Sequence, residues 1–163
     1  MLDLGAGSGR HSAFLAEHGF DVTAVDIQPA PLPGIQPKPA FRTLQQDVRD
    51  YVPGFKYDIV IATMLLHFFS KAEGSKVIDK IKMATKIGGL NVLTVLTEKN
   101  SNAVRPHLFA ENELRDHYQT GWKLLLYEEC LGRPFFSKAK QRLVRQHRAA
   151  LIAERILTVR SNV

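Results

Sequence analysis

The stretch that opens the chain, MLDLGAGSGRHSAFLAEHGFDVTAVD from Met1 to Asp26, restricts the possible folds more than any other part of the sequence. Apolar Leu2 and Leu4 lead into a loop carrying Gly5, Gly7 and Gly9, and Ser8 is placed to cap a helix that runs to about His18. Gly19 closes that helix, and Val22, Ala24 and Val25 extend a second strand ending at Asp26. Strand, glycine loop, helix and strand in this order form the opening unit of an open α/β sheet that binds a ribose-bearing ligand. The glycines are required because a Cβ would block close approach of the backbone to that ligand. The spacing is G-x-G-x-G; the dinucleotide fingerprint G-x-G-x-x-G would put its third glycine where Arg10 stands, which disfavours NAD.

With Asp3 ahead of the loop and Asp26 closing the next strand, the pattern D-x-G-x-G-x-G resembles the first motif of class I S-adenosylmethionine-dependent methyltransferases. The resemblance implies a cofactor site built from Asp3, Gly5, Ala6, Gly7, Gly9, Asp26, Ile27, Asp47, Val48, Thr63 and Met64. In that site the Asp26 carboxylate accepts both ribose hydroxyls, a bidentate arrangement suited to two adjacent donors. Asp3 faces the methionine ammonium, and the backbone N–H groups of Ser8 to Arg10 meet the methionine carboxylate at a helix N-terminus. Asp47 falls where the adenine amino group is contacted, with Val48 offering a backbone donor. An ordinary strand-to-helix turn, and Asp47 as a turn cap, are the alternatives.

The 163 residues suit a single domain over 1–163, with enough apolar content to bury one core. The one cysteine, Cys130, excludes an internal disulfide and a thiolate metal cluster, which favours a reducing cytoplasm. The six histidines show no H-x-x-x-H or H-E-x-x-H pairing, so the sequence gives no metal site. No apolar run approaches the roughly 20 residues of a membrane span. The net charge of +6 is uneven: Arg133, Lys138, Lys140, Arg142, Arg145 and Arg148 follow one another with no acidic residue between. Such a segment reads first as a solvated hairpin or helix face, and its basic half lacks interleaved aromatics to stack bases, so a nucleic-acid partner is disfavoured.

Five prolines between Gln28 and Pro39 exclude a helix there, since each removes a donor and clashes with the preceding turn. Phe41, Thr43 and Leu44 predict a third strand, and Tyr57 to Ala62 a fourth, buried on both faces. Ser70 to Glu73 is a capping box opening a helix through Val77, Ile78, Ile81 and Ala84 that Gly88 and Gly89 stop. Leu90 to Leu96 predicts a fifth strand, Ala110 to Tyr118 a short helix, Trp122 to Glu128 a sixth strand and Ala149 to Leu157 a seventh. Alternation followed by two terminal strands argues for a parallel sheet finished by an antiparallel edge. The methyltransferase resemblance implies the order third, second, first, fourth, fifth, seventh, sixth: a Rossmann-like seven-stranded sheet with an antiparallel last strand.

After the fourth strand, Ala62 to Phe68 does not carry the Asn/Asp-Pro-Pro-aromatic loop of adenine-amine methyltransferases. Instead Gly9-Arg10-His11-Ser12, the run Leu65 to Phe69, and the pattern of Phe109, Leu114, Arg115, Tyr118 and Trp122 are similar to the tellurite-resistance methyltransferase family. That resemblance implies methyl transfer to a small anionic or soft nucleophilic acceptor of tellurite or selenite type. An oxyanion site calls for cationic donors, and Arg10, His67 and Arg105, with His107 beside them, lie on segments expected to converge above the carboxyl edge of the sheet. His147 and Arg148 add charge from the side. Enzymes of this class carry an N-terminal helical segment that the sequence, starting inside the first strand, lacks; the sheet face it would cover predicts a homo-oligomer. A cofactor-binding but inactive subunit, and an RNA-binding methyltransferase using residues 133–148, are the competing readings.

Overall fold

The computed structural model describes residues 1–29, 41–100, 104–137 and 140–157, so most of the proline run, and Lys138, lie outside the described residues. Its strands are β1 (Leu2–Leu4), β2 (Val22–Asp26), β3 (Phe41–Gln45), β4 (Tyr57–Thr63), β5 (Thr85–Leu96), β6 (Trp122–Leu131), β7 (Phe135–Ser137), β8 (Arg142–Val144) and β9 (His147–Arg155). The helices are α1 (Arg10–Glu17), α2 (Lys71–Ala84) and the single turn α3 (Glu113–Asp116). The main sheet runs β3-β2-β1-β4-β5-β9-β6. Its first five strands are parallel and β9 is antiparallel to both neighbours, the expected Rossmann-like order. Residues of the basic segment form a separate β7–β8 hairpin.

Two apolar layers hold the sheet. On one face Val77, Ile78, Ile81 and Ala84 of α2 share a cluster with Leu4, Val60, Ala62, Leu93 and Val95. Burying each large aliphatic side chain stabilises the fold by roughly 1.5 to 3 kcal/mol. A buried polar chain crosses this layer: Tyr118 Oη donates to Asn91 Oδ1 (3.0 Å), Asn91 Nδ2 to Thr85 Oγ1 (2.6 Å), and Thr85 Oγ1 to the Ile81 carbonyl (2.8 Å). Every member is partnered, which removes the penalty of burying these groups. On the other face Leu15 and Ala16 of α1 cover Met1, Val22 and Ile61. Farther along that face, Val92, Ile152 and Leu126 stand opposite one another and stay partly or largely exposed.

Local details correct three expectations. Gly9, not Ser8, is the N-cap of α1: it turns the chain at φ 71°, and no side chain caps the helix. The α2 capping box is present as expected, with Ser70 and Glu73 exchanging bonds, but the helix ends at Ala84 rather than at Gly88–Gly89. The reason is strand pairing. Thr85 already pairs with Tyr57, and a bulge then carries the register to Ile59 and Leu90. Gly89 sits in that bulge, where a Cβ would lie 2.9 Å from the Asp58 carbonyl oxygen. The helix expected over Ala110 to Tyr118 shrinks to Glu113–Asp116, because Asn112 adopts φ 63° and breaks the helical path.

Candidate functional site

The glycine loop leaves β1 with Gly5, Gly7 and Gly9 all left-handed, at φ 70°, 53° and 71°. Only glycine takes this backbone without cost at three alternate positions. The Gly5 and Ala6 N–H groups both donate to the Val25 carbonyl (2.8 and 3.3 Å), tying the loop to β2. Asp26, at the end of β2, is held from two sides: Gly7 N–H donates to Oδ2 and Gln28 N–H to Oδ1, each at 2.8 Å. Each carboxylate oxygen keeps a further lone pair for a ligand.

Asp26 opens onto a cavity of about 580 Å3 at the carboxyl ends of β1, β2 and β4, the switch-point position. Of the residues expected to bind a cofactor, it brings together Gly5, Gly7, Asp26, Ile27, Asp47, Val48 and Met64. Its other walls are Gln28, Arg49, Leu65, Phe68 and Phe69. Sequence reasoning did not assign these five; the Phe68-Phe69 pair directly after a buried strand was the available signal. Asp47 is clasped by Arg49 through Nη2 (2.7 Å), Nε and the Arg49 N–H (2.8 Å), which holds its carboxyl below the usual range. Arg49 also pairs with Glu73 (2.8 Å), linking α2 to the cavity wall.

Four expected residues, Asp3, Ala6, Gly9 and Thr63, stand off the cavity. Asp3 is 1% exposed and accepts from Ser12 Oγ at 2.6 Å, so it anchors α1 beneath the loop, and burial raises its carboxyl pKa. The Gly9 N–H is spent on the Ala6 carbonyl at 2.8 Å. Thr63 pairs with Thr94 in the sheet, and the Met64 N–H donates to the Thr94 carbonyl (2.8 Å) and Oγ1 (3.1 Å). Those two bonds hold Met64 at φ 56°, a conformation that costs a non-glycine residue about 1 to 2 kcal/mol.

The expected cationic group converges only in part. His67 is 2% exposed, lies in the short turn after β4, and its Nδ1 has no partner. Burial first, and the charge of Arg105 second, push its pKa down to about 4. It is therefore a neutral imidazole at pH 7, a correction to its place among the cations. Arg105 stacks its guanidinium 4.8 Å from the Phe68 ring centre, a cation–π contact at the edge of the cavity. Arg10 is exposed and, among the described residues, its side chain reaches only His11, at 3.5 Å. His107 is engaged by Glu113 (3.0 Å), His147 by Thr97 Oγ1 (2.8 Å), and the buried Arg148 Nε has no partner.

Because His67 takes up its proton less readily folded than unfolded, it contributes stability that is complete above the unfolded value near 6.5. That stability drains away as pH falls toward about 4. Urea titrations of the parent and of His67→Gln between pH 7 and pH 4 are expected to converge by about 2 kcal/mol at the acid end, the variant losing less. Parallel pH profiles would remove His67 as the titrating group.

Among the described residues no group of His, Cys, Asp or Glu side chains is placed to hold a metal, and no helix is long and apolar enough to cross a membrane.

Comparison with known proteins agrees with this geometry. The model of the family "Tellurite resistance protein TehB" matches residues 1–151. Hemagglutinin 1 of Eikenella corrodens is 28% identical over 162 residues, 94% of this chain and 54% of its own length. The "Probable S-adenosyl-L-methionine-dependent methyltransferase TehB" of Haemophilus influenzae strain Rd is 28% identical over 140 residues, 81% of this chain and 49% of its own. The chain thus spans about half the length of the curated relatives it matches. The crystal structure of TehB from Haemophilus influenzae superposes with a TM-score of 0.80 at 24% identity, covering 94% of this chain and 57% of that one. A Burkholderia thailandensis 1,6-didemethyltoxoflavin-N1-methyltransferase bound to S-adenosylhomocysteine gives 0.73 at 20% identity, covering 96% and 70%. With the family model spanning the glycine loop, Asp26 and the whole sheet as far as Leu151 in β9, the chain belongs to the TehB tellurite-resistance family.

Proposed function

We propose that this chain binds S-adenosylmethionine and transfers its methyl group to a small anionic or soft nucleophilic acceptor, the tellurite and selenite class being first to test. The observation that carries this reading is the Asp26 carboxylate, steadied by Gly7 and Gln28 at the mouth of a cavity of about 580 Å3. That volume lies within the roughly 300 to 1,000 Å3 of small-molecule sites. The residues fit the cofactor: a carboxylate with free lone pairs for a ribose diol, a side-chain-free loop for close approach, and Val48, Leu65 and Phe69 as an apolar wall.

When bound, the cofactor supplies an electrophilic sulfonium methyl group. The chain's own contribution is then to orient and to exclude water, since an in-line displacement needs no covalent enzyme intermediate. Leu65 and Phe68 close the cavity on the β4 side. Arg105, stacked on Phe68 at the edge of the cavity, supplies the fixed charge for an anionic acceptor, and neutral, buried His67 backs the turn that presents Phe68. Asp3 enters as the support of α1 through Ser12. Pairing of two chains through the row of Val92, Ile152 and Leu126 belongs to the same proposal, and light scattering at micromolar concentration reads it directly.

The experiment is calorimetry with S-adenosylhomocysteine beside a turnover assay with tellurite, selenite and thiol acceptors. Arg105→Ala is expected to lower turnover about tenfold while leaving cofactor affinity within twofold, because its head faces the acceptor side. Binding without turnover on any acceptor would favour the inactive-subunit reading, and absence of binding would overturn the proposal.

A further inference from the structure

We propose that a second cavity, beside the cofactor cavity, receives the acceptor, and that the acceptor is an organic acid: an apolar body bearing at least one carboxylate. Naming the ligand an acceptor rests on the methyl-transfer reading; the binding of an organic anion does not.

This cavity of about 850 Å3 lies between the loop after β5, the start of β9 and the β7–β8 hairpin. Among the described residues, Lys99, Arg105, Lys140, Arg142 and Arg145 line it, and no carboxylate does. Among the described residues none of the five forms an ion pair. Two of them are fixed by neutral carbonyls, which orient the head without cancelling its charge: Arg145 donates to Gly132 (2.9 Å) and Leu131 (3.3 Å), and Arg105 to Val104 (3.1 Å). Glu129, whose charge is felt by Lys99 and His147, lies outside the lining: its Oε1 accepts from Asn112 N–H (2.8 Å) and Tyr127 Oη (2.5 Å), its buried Oε2 has no hydrogen-bond partner among the described residues, and it offsets only part of the charge of five cations. Like charges facing a concave, partly apolar surface focus a field that an anion relieves.

The same cavity shows large apolar side chains to solvent: Leu131 (48% exposed), Phe135 (45%) and Leu143 (67%). A bare oxyanion of a few atoms would occupy a small part of the volume and leave these three wet. A ligand with a hydrocarbon or aromatic body covers them while its carboxylate meets the cations.

The two cavities meet at one contact. Arg105 lines the cationic cavity, and its guanidinium rests 4.8 Å from the ring of Phe68, which lines the cofactor cavity. A molecule held by its anionic end among the hairpin cations can therefore direct its other end past Phe68 toward the space beside Met64 and Gly5.

The test is calorimetric, on the full chain without added nucleotide, using 3-phenylpropionate, its neutral amide, sodium selenite and a short oligouridylate as probes. The acid is expected to bind at least tenfold more tightly than the amide or selenite. Lys140→Glu combined with Arg142→Glu, both on exposed positions, is expected to weaken the acid at least tenfold, and Leu143→Ser about threefold. Circular dichroism confirms that each variant is folded. Equal affinity for acid and amide, parent-like affinity in the double variant, or tighter binding of selenite overturns the proposal; tighter oligouridylate binding lost in the same variant replaces it with a nucleic-acid surface. A parallel titration with S-adenosylhomocysteine separates the two claims. If that compound fails while phenylpropionate binds, the methyl-transfer reading falls and the anion cavity stands; the reverse pattern removes the cavity alone.

Discussion

Asp26→Ala is expected to weaken S-adenosylhomocysteine at least a hundredfold by calorimetry, equivalent to about 2.7 kcal/mol. The carboxylate contributes in two ways. Each oxygen has a lone pair left for a ribose hydroxyl, and a hydrogen bond to a charged group is worth about 1.5 to 3 kcal/mol. The same two oxygens also accept the Gly7 and Gln28 N–H groups at 2.8 Å, so their removal frees the middle of the glycine loop. Asp26→Asn keeps one acceptor in place and is expected to fall between, about tenfold weaker than the parent. The site is half-buried at a strand end, so both variants should stay folded. A loss below threefold for the alanine variant would mean that the ribose is held elsewhere.

What the sequence allowed one to read, and what it hid, divides along the range of the interactions. The positions of the strands along the chain were legible because glycines, prolines and buried apolar runs punctuate it locally, while their order in the sheet came from the family resemblance, since periodicity does not say which strands are neighbours. Asp26 ends its strand and Ile27 and Met64 come directly after theirs, so topology alone brings them to the cavity. The bond between Asp3 and Ser12 was hidden, because helical geometry places Ser12 on the inward face, which linear spacing does not report. Arg49 and Phe68 were hidden for a similar reason. Each earns its position through a partner far along the chain, Glu73 and Arg105 respectively. His67 was legible as a polar residue in the turn after β4, but not its burial or its charge, which depend on packing by residues from several elements. The end of α2 was missed because pairing of Thr85 with Tyr57 overrides the stop signal of Gly88–Gly89.

Gly5→Val should cost the protein about 3 to 4 kcal/mol, because two independent penalties fall on one residue. The backbone stands at φ 70°, a region that costs an ordinary side chain about 1 to 2 kcal/mol and a β-branched one more. A Cβ built there lies 2.7 Å from Leu65 Cδ1 and 3.2 Å from Leu65 Cβ. The Cδ1 contact alone would be relieved by a rotamer change, but the Cβ contact requires the chain after β4 to shift, and overpacking of this kind costs about 1 to 3 kcal/mol. At roughly 2 to 4 °C per kcal/mol for a chain of this size, the melting temperature should drop by about 6 to 16 °C. A double-mutant cycle with Leu65→Gly separates the causes: removing the Leu65 side chain, Cβ included, removes the steric part and should recover about 1 to 2 kcal/mol, leaving the backbone part untouched. Full recovery would show that Gly5 is needed only for space, and no recovery that its left-handed backbone alone requires glycine. A drop under about 1 kcal/mol in the single variant would mean that the loop relaxes freely. Such a loop could not hold the Gly7 N–H against Asp26, and the preorganised cofactor site would lose its physical basis.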